Sequence, residues 1–220
     1  MSRALGFYRS AIGKKAVMGV TGLIGIGFVI AHLAGNLLVF SGAEAINRYS
    51  HFLKSTGELL WLLRAVLIGA VIMHVIAAVQ LTRQNRAARP VEYVNREPQV
   101  STLASRTMRW GGTVLLLFIV IHILHFTTGT LKPAGVFSTA DVYSNIVASF
   151  RLWWVALFYV VSIIILGFHL FHGAWSSVRS LGVRQPSTNP LQRKVALAVA
   201  IFVWLGFTVV PVAVFVGLVR

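Results

Sequence analysis

Five stretches of mostly apolar residues, at about 16–40, 60–81, 110–131, 152–176 and 195–219, take up most of a 220-residue chain. A hydrocarbon core about 30 Å thick is crossed by about 20 residues of helix at 1.5 Å each. Within lipid the backbone polar groups are satisfied only in a helix or a closed barrel. Runs this long and continuous predict an all-α membrane protein with five transmembrane helices, organised as one transmembrane unit over residues 1–220. The composition agrees, with 57% hydrophobic and 11% charged residues. Basic residues precede the first run, but it is too long for a signal peptide, lacks a convincing cleavage site and is followed by four further runs.

The formal net charge is +15, a balance that in a soluble chain would point to nucleic acid. Here the charges sit in short connections between apolar runs and form no single polar face, so no nucleic-acid partner is expected. They do orient the chain. One side holds Arg3, Arg9, Lys14 and Lys15, then Arg83, Arg86, Arg89, Arg96, Arg106 and Arg109, then Arg179, Arg184, Arg193 and Lys194; the other holds Arg48, Lys54, Arg64, Lys132, Arg151 and Arg220. The richer side is expected to be cytoplasmic, which places the N-terminus inside and the C-terminus outside. Cysteine is absent, so disulfides, zinc–thiolate sites and a cluster held by this chain's own thiolates are excluded.

Segment 41–56, SGAEAINRYSHFLKST, is polar with Ile46, Tyr49, Phe52 and Leu53 at helical spacing, the pattern of a short helix lying in the outer interface over about 42–56. Gly19, Gly22, Gly25 and Gly27 thin the first helix, which suits close helix packing or a flat ligand. Pro211 is expected to kink the fifth. The stretch QNRAARPVEYVNREPQV, 84–100, reads as a cytoplasmic connection able to dock a soluble partner.

Histidine is the only strong metal ligand in supply, and an ionisable side chain inside a bilayer is by default a functional hypothesis. Each of the first four runs contains at least one histidine and the fifth contains none. Counting from Lys15 and Arg106, His32 and His122 lie about 25 and 24 Å along their helices; counting back from Arg83 and Arg179, His74 and His169 lie about 14 and 15 Å. The histidines therefore form two height-matched pairs, one from the odd and one from the even helices. A bis-histidine haem needs two axial nitrogens from facing helices, so two pairs imply two haems b stacked across the membrane. Zinc is the rival: His122 with His125, and His169 with His172, are spaced i, i+3 on one helix face, but no carboxylate or thiolate lies at their depth. A histidine proton relay in a transporter and a haem-free structural anchor are further readings; against the relay, the spans lack acids to alternate with the histidines.

The segment IGKKAVMGVTGLIGIGFVIAHLAGNL, Ile12 to Leu37, followed by GAEAINRYSHF, Gly42 to Phe52, and FHLFHGAWS in the fourth run, resembles the cytochrome b558 subunit of bacterial succinate:quinone oxidoreductases along the whole chain. The resemblance implies a dihaem membrane anchor in the bacterial cytoplasmic membrane for a flavoprotein and an iron–sulfur subunit, exchanging electrons with menaquinone or ubiquinone and carrying no succinate site. Anchors of quinol:fumarate reductases are the alternative, and a higher oligomer of the complex is compatible with both. Carried over, the ligands are His32 with His122 for the distal haem and His74 with His169 for the proximal one. His125 stays open as an alternative to His122, and His172 to His169, since related fumarate reductase anchors carry His-Gly there. Glu58, before LLWLLR, resembles the family's acidic residue near the second helix and is the expected proton group of an outer quinone site; an ion pair with Arg64 or Lys54 is the bland alternative. Arg64 and His51 are further candidates to meet a haem propionate, His51 also a quinone. Arg9, Ser10, Lys14 and Lys15 are expected where an iron–sulfur subunit docks.

Overall fold

The computed structural model describes residues 3–88, 102–182 and 189–220, and every element there is helical. In chain order these are α1 (Arg3–Arg9), α2 (Ala11–Leu37), a 3-10 turn (Leu38–Ser41), α3 (Ala43–Ser55), α4 (Glu58–Ala87), α5 (Leu103–His122), a π-helical turn (Ile123–Thr127), α6 (Val142–Phe150), α7 (Trp153–Ser180) and α8 (Asn189–Phe215). Five of these stretches are long and apolar enough to cross a membrane: Ala11–Ser41, Glu58–Ala87, Leu103–Thr127, Trp153–Ser180 and Pro190–Phe215. Arg89, Arg96, Arg184 and most of the connection 84–100 fall outside the described residues, as does the side chain of Arg3.

Local chemistry sets the ends. The Ser10 hydroxyl caps α2 by accepting from the Gly13 N–H at 3.0 Å, and Thr102 caps α5 by accepting from the Ser105 N–H at 3.2 Å. Each satisfies a backbone donor that the first helical turn leaves unpaired. The third span stops at Thr127, short of residue 131, because the chain reverses through Gly129, at φ +64 and under the Phe137 ring where no Cβ would fit. Arg193 and Lys194 lie on the opening turns of α8 instead of in a loop.

The helices meet through small residues, as expected where lipid supplies no hydrophobic drive for association. A Cβ on Gly19 would lie 3.4 Å from the Ser177 carbonyl oxygen of α7, and Gly167 faces Trp204 of α8. Leu33, with no exposed surface, is held between α7 and α8 with Leu170, Ala200 and Val203. Helix α2 runs against α4, α7 and α8, and α5 against α7, whereas α2 with α5 and α4 with α7 make no extended backbone approach. Those two unpacked pairs are the ones that carry the histidines. One end of the bundle is closed by α3 and α6: Ile46, Ile146, Val147 and Phe150 pack on Val155, Tyr159 and the last turns of α8, where Pro211 is fully buried. Polar bonds staple this layer. Asn47 donates to Asp141 at 3.0 Å and accepts from the Tyr143 N–H at 3.1 Å, while Lys54 donates to the Thr139 carbonyl.

Large apolar side chains such as Leu62, Ile68, Ile72, Leu117, Leu157 and Phe202 remain exposed around the bundle. In water such a surface would aggregate; around membrane-spanning helices it is the lipid-facing belt.

Candidate functional site

The histidines of the first four long helices meet as two couples. His32 of α2 and His122 of α5 have ring centroids 5.8 Å apart with planes at 82°, and His74 of α4 and His169 of α7 lie 6.2 Å apart at 57°. Along α2 the two levels are marked by His32 and by Thr21, whose hydroxyl touches His74; eleven residues of helix separate them, about 16 Å.

The upper couple sits in aromatic walls. His32 stacks on Phe28 at 5.3 Å and lies 5.8 Å from Phe207; His122 contacts Phe118, Phe126 and Tyr159. Asn36, one turn beyond His32, donates to the His32 carbonyl at 2.8 Å, and its amide nitrogen lies 3.3 Å from the ring's Nε2. An amide N–H directed there marks Nε2 as the lone-pair nitrogen, an assignment from the hydrogen-bond pattern. At the lower couple the Thr21 hydroxyl is 2.8 Å from the Val17 carbonyl oxygen and 3.1 Å from Nδ1 of His74. The shorter contact assigns the hydroxyl hydrogen to the carbonyl, and on that assignment His74 donates from Nδ1 and keeps its lone pair on Nε2. Nδ1 of His169 is buried without a hydrogen-bond partner.

His125 and His172 point elsewhere. His125, 5% exposed, has both nitrogens engaged: Nδ1 lies 3.0 Å from the Tyr159 hydroxyl and Nε2 2.9 Å from that of Ser149. The π turn causes this divergence. A turn closed i→i+5 rotates less per residue than an α turn, so His125 does not come back under His122 as i, i+3 spacing on an α-helix would bring it. His172 lines a cleft of about 290 Å³ with Lys15, Trp175, Ser176, Arg179 and Ser180. Ser10 is engaged as a cap, Lys14 is buried with its ammonium donating to the Arg9 carbonyl at 2.7 Å, and Lys15 and Arg9 are exposed. Glu58 is the exposed first residue of α4 with no ion pair among the described residues; Arg64 stacks on Trp61 at 5.0 Å and His51 is exposed on α3.

The donor set fits a flat macrocycle with two axial imidazoles. Two metal–imidazole bonds of about 2.0–2.1 Å each place ring centroids roughly 6 Å apart, close to both observed separations. Among the described residues no three His, Cys, Asp or Glu converge, so the donors come in twos, which suits haem and is fewer than zinc takes. Glycines flank the lower couple: a Cβ on Gly22 would lie 3.5 Å from His74 and one on Gly112 3.9 Å from His169.

Residues 82–209, more than half of the chain, match the family described as succinate dehydrogenase/fumarate reductase transmembrane subunit. The chain belongs to that family. A relative in Bacillus subtilis (strain 168), the succinate dehydrogenase cytochrome b558 subunit, is 25% identical over 192 residues, covering 86% of this chain and 88% of the relative. No solved structure matches the chain. A succinate dehydrogenase/fumarate reductase transmembrane subunit is a membrane component of its complex, and this one is a multi-pass protein of the bacterial cytoplasmic membrane. Thr21, Asn36, Ser149 and Tyr159 also touch the subunit's histidines, and no motif in the sequence marks them out. Thr21, Asn36 and Tyr159 are polar side chains inside apolar runs, which need a partner when buried; Ser149 lies outside those runs.

Proposed function

We propose that the chain is the dihaem cytochrome b anchor of a succinate:quinone oxidoreductase, passing electrons between an iron–sulfur subunit and membrane quinone. What carries the reading is that four long helices each supply one histidine and the four meet as two couples at two levels. On this reading His32 and His122 hold the distal haem b, and His74 and His169 the proximal one. When bound, each haem supplies a one-electron iron couple between two imidazoles. The protein's own part is to orient and insulate. Thr21 fixes the tautomer of His74, Phe28 and Phe118 hold the rings of His32 and His122, and the apolar walls exclude water. The basic end, with Arg9, Lys15 and Arg179 exposed or lining the cleft, is the face offered to the iron–sulfur and flavoprotein subunits, which makes it cytoplasmic and the C-terminus external. Glu58, at the opposite end of α4 and open to the surface, is the group proposed to exchange a proton with quinone as electrons arrive or leave.

The test is a haem count with a reduced-minus-oxidised spectrum on the purified complex. Two low-spin haems b per chain are expected. His74→Ala and His169→Ala should remove the same haem and spare the one lost in His32→Ala. A complex without haem, or one that loses both at unchanged protein level in each variant, refutes the assignment.

A further inference from the structure

We infer that Tyr159, His125 and Ser149 form a hydrogen-bonded chain that accepts from Nδ1 of His122 and sets the reduction potential of the haem it holds; this rests on the assignment of His32 and His122 as haem ligands. The Tyr159 hydroxyl lies 3.4 Å from Nδ1 of His122, a long hydrogen bond, and 3.0 Å from Nδ1 of His125, whose Nε2 lies 2.9 Å from the Ser149 hydroxyl. All three outer members are buried.

A phenol has one hydrogen and a neutral imidazole one, so when the buried Tyr159 hydrogen is spent within the chain two polarities are open. In the first, His122 donates from Nδ1 to the Tyr159 oxygen, Tyr159 donates to Nδ1 of His125, and His125 donates from Nε2 to Ser149. In the second every bond is reversed: Ser149 donates to His125, His125 to Tyr159, and Tyr159 to Nδ1 of His122. The second polarity puts the His122 proton on Nε2 and leaves that ring no free lone pair, so it cannot bind iron through either nitrogen. Only the first leaves Nε2 open.

The π turn is what makes the chain possible. It carries His125 off the bearing of His122 and onto α6 and α7, where its two nitrogens span the gap between Ser149 and Tyr159. Tyr159 and His125 are therefore positioning residues. An acceptor on Nδ1–H makes an imidazole a more basic ligand, which favours the oxidised iron; removing it raises the potential.

The test uses the intact purified complex, with each haem band followed in an equilibrium redox titration. Tyr159→Phe should keep both haems and raise the potential of the one that His122→Ala removes, by at least a tenfold change in its reduction equilibrium, about 59 mV for one electron. The haem dependent on His74 should not move. His125→Leu and Ser149→Ala should shift the same haem in the same direction by less, and His125→Gln, which can both accept and donate, should return toward the parental value. Should Tyr159→Phe fail to assemble, the His125 and Ser149 variants decide the matter. Unchanged potentials in every variant that retains its haems, or a shift of the other haem, overturn the proposal. A parental complex without haem, or a His122→Ala complex that keeps both, would instead overturn the ligand assignment beneath it.

Discussion

Enlarging Gly22 should expel one haem and leave the other. A Cβ at this position would lie 3.3 Å from the Ser177 hydroxyl oxygen and 3.5 Å from Cε1 of His74. Alanine therefore fits once the hydroxyl gives way by a few tenths of an ångström. Leucine adds three more carbons, which must enter the space between Ser177 and the His74 imidazole. Overpacking of this kind costs about 1–3 kcal/mol, and at about 1.4 kcal/mol per decade that is a loss of roughly 5- to 150-fold in affinity at the lower couple. The assay is the haem-to-protein ratio of the purified complex with a difference spectrum. Gly22→Ala should retain two haems per chain, and Gly22→Leu should retain only the one that needs His32. Gly27, with nothing within 4 Å of its added Cβ, is the control: Gly27→Leu should keep both. A Gly22→Leu complex with both haems at parental ratio and potential, or one lacking the upper haem instead, refutes the placement of the proximal haem beside α2.

Thr21→Val removes the hydroxyl 3.1 Å from Nδ1 of His74 and should weaken proximal haem retention about 10- to 100-fold, read as haem loss during competition with an apo-haem protein. A Cβ on Gly206 would approach the Leu33 methyls to 2.7 and 2.9 Å, so Gly206→Ala should destabilise the bundle by about 1–3 kcal/mol; Leu33→Ala in the same chain should recover part of the loss in a thermal unfolding assay. Hydrogen bonds from the Ser144 hydroxyl, the Ser144 N–H and Asn47 hold the Asp141 carboxyl below the usual carboxylate range. A folded value below the unfolded one means that this stabilisation is present above the ordinary carboxylate pKa and is lost as pH falls through the depressed value. Hydrogen exchange of α6 amides should accelerate in that acid window in the parent, and Asp141→Asn should abolish that pH dependence. Glu58→Gln should slow quinone turnover with both haems retained; an unchanged quinone rate removes Glu58 from that role.

Hydropathy made the long helices legible, because a membrane span is written in a run too long to mean much else. Depth counting paired His32 with His122 and His74 with His169 by height, and the rings do approach one another in those pairs. What height does not encode is bearing. His122 and His125 share a face only if the helix stays α, and the π turn at Ile123–Thr127 is not signalled by any residue in that stretch. His169 and His172 differ by about 4.5 Å of rise, too little to separate by counting, yet one ring meets His74 and the other enters the basic cleft. The short helices α1 and α6 were invisible for a different reason: with 7 and 9 residues they have little periodicity to read and are held by capping and docking. Ser10 shows how local chemistry competes with a functional reading, since an N-cap and a docking residue look alike in sequence.

A π turn has the geometry of one residue inserted into an α-helix, and everything beyond it is out of phase with an uninterrupted helix. The insertion at Ile123–Thr127 follows His122 directly. It thus acts as a frameshift in three dimensions: positions up to His122 keep the register of the bundle, and His125 and Phe126 beyond it turn to Ser149 and Phe150 of α6 as well as to Tyr159 of α7. A relative that lacks the turn, aligned across this point without a gap, would have residues equated that face different partners. A relative lacking the extra residue would have its equivalent of His125 swung back toward the ring at 122, with two imidazoles competing for one site and the hydrogen bond from 125 to Tyr159 lost.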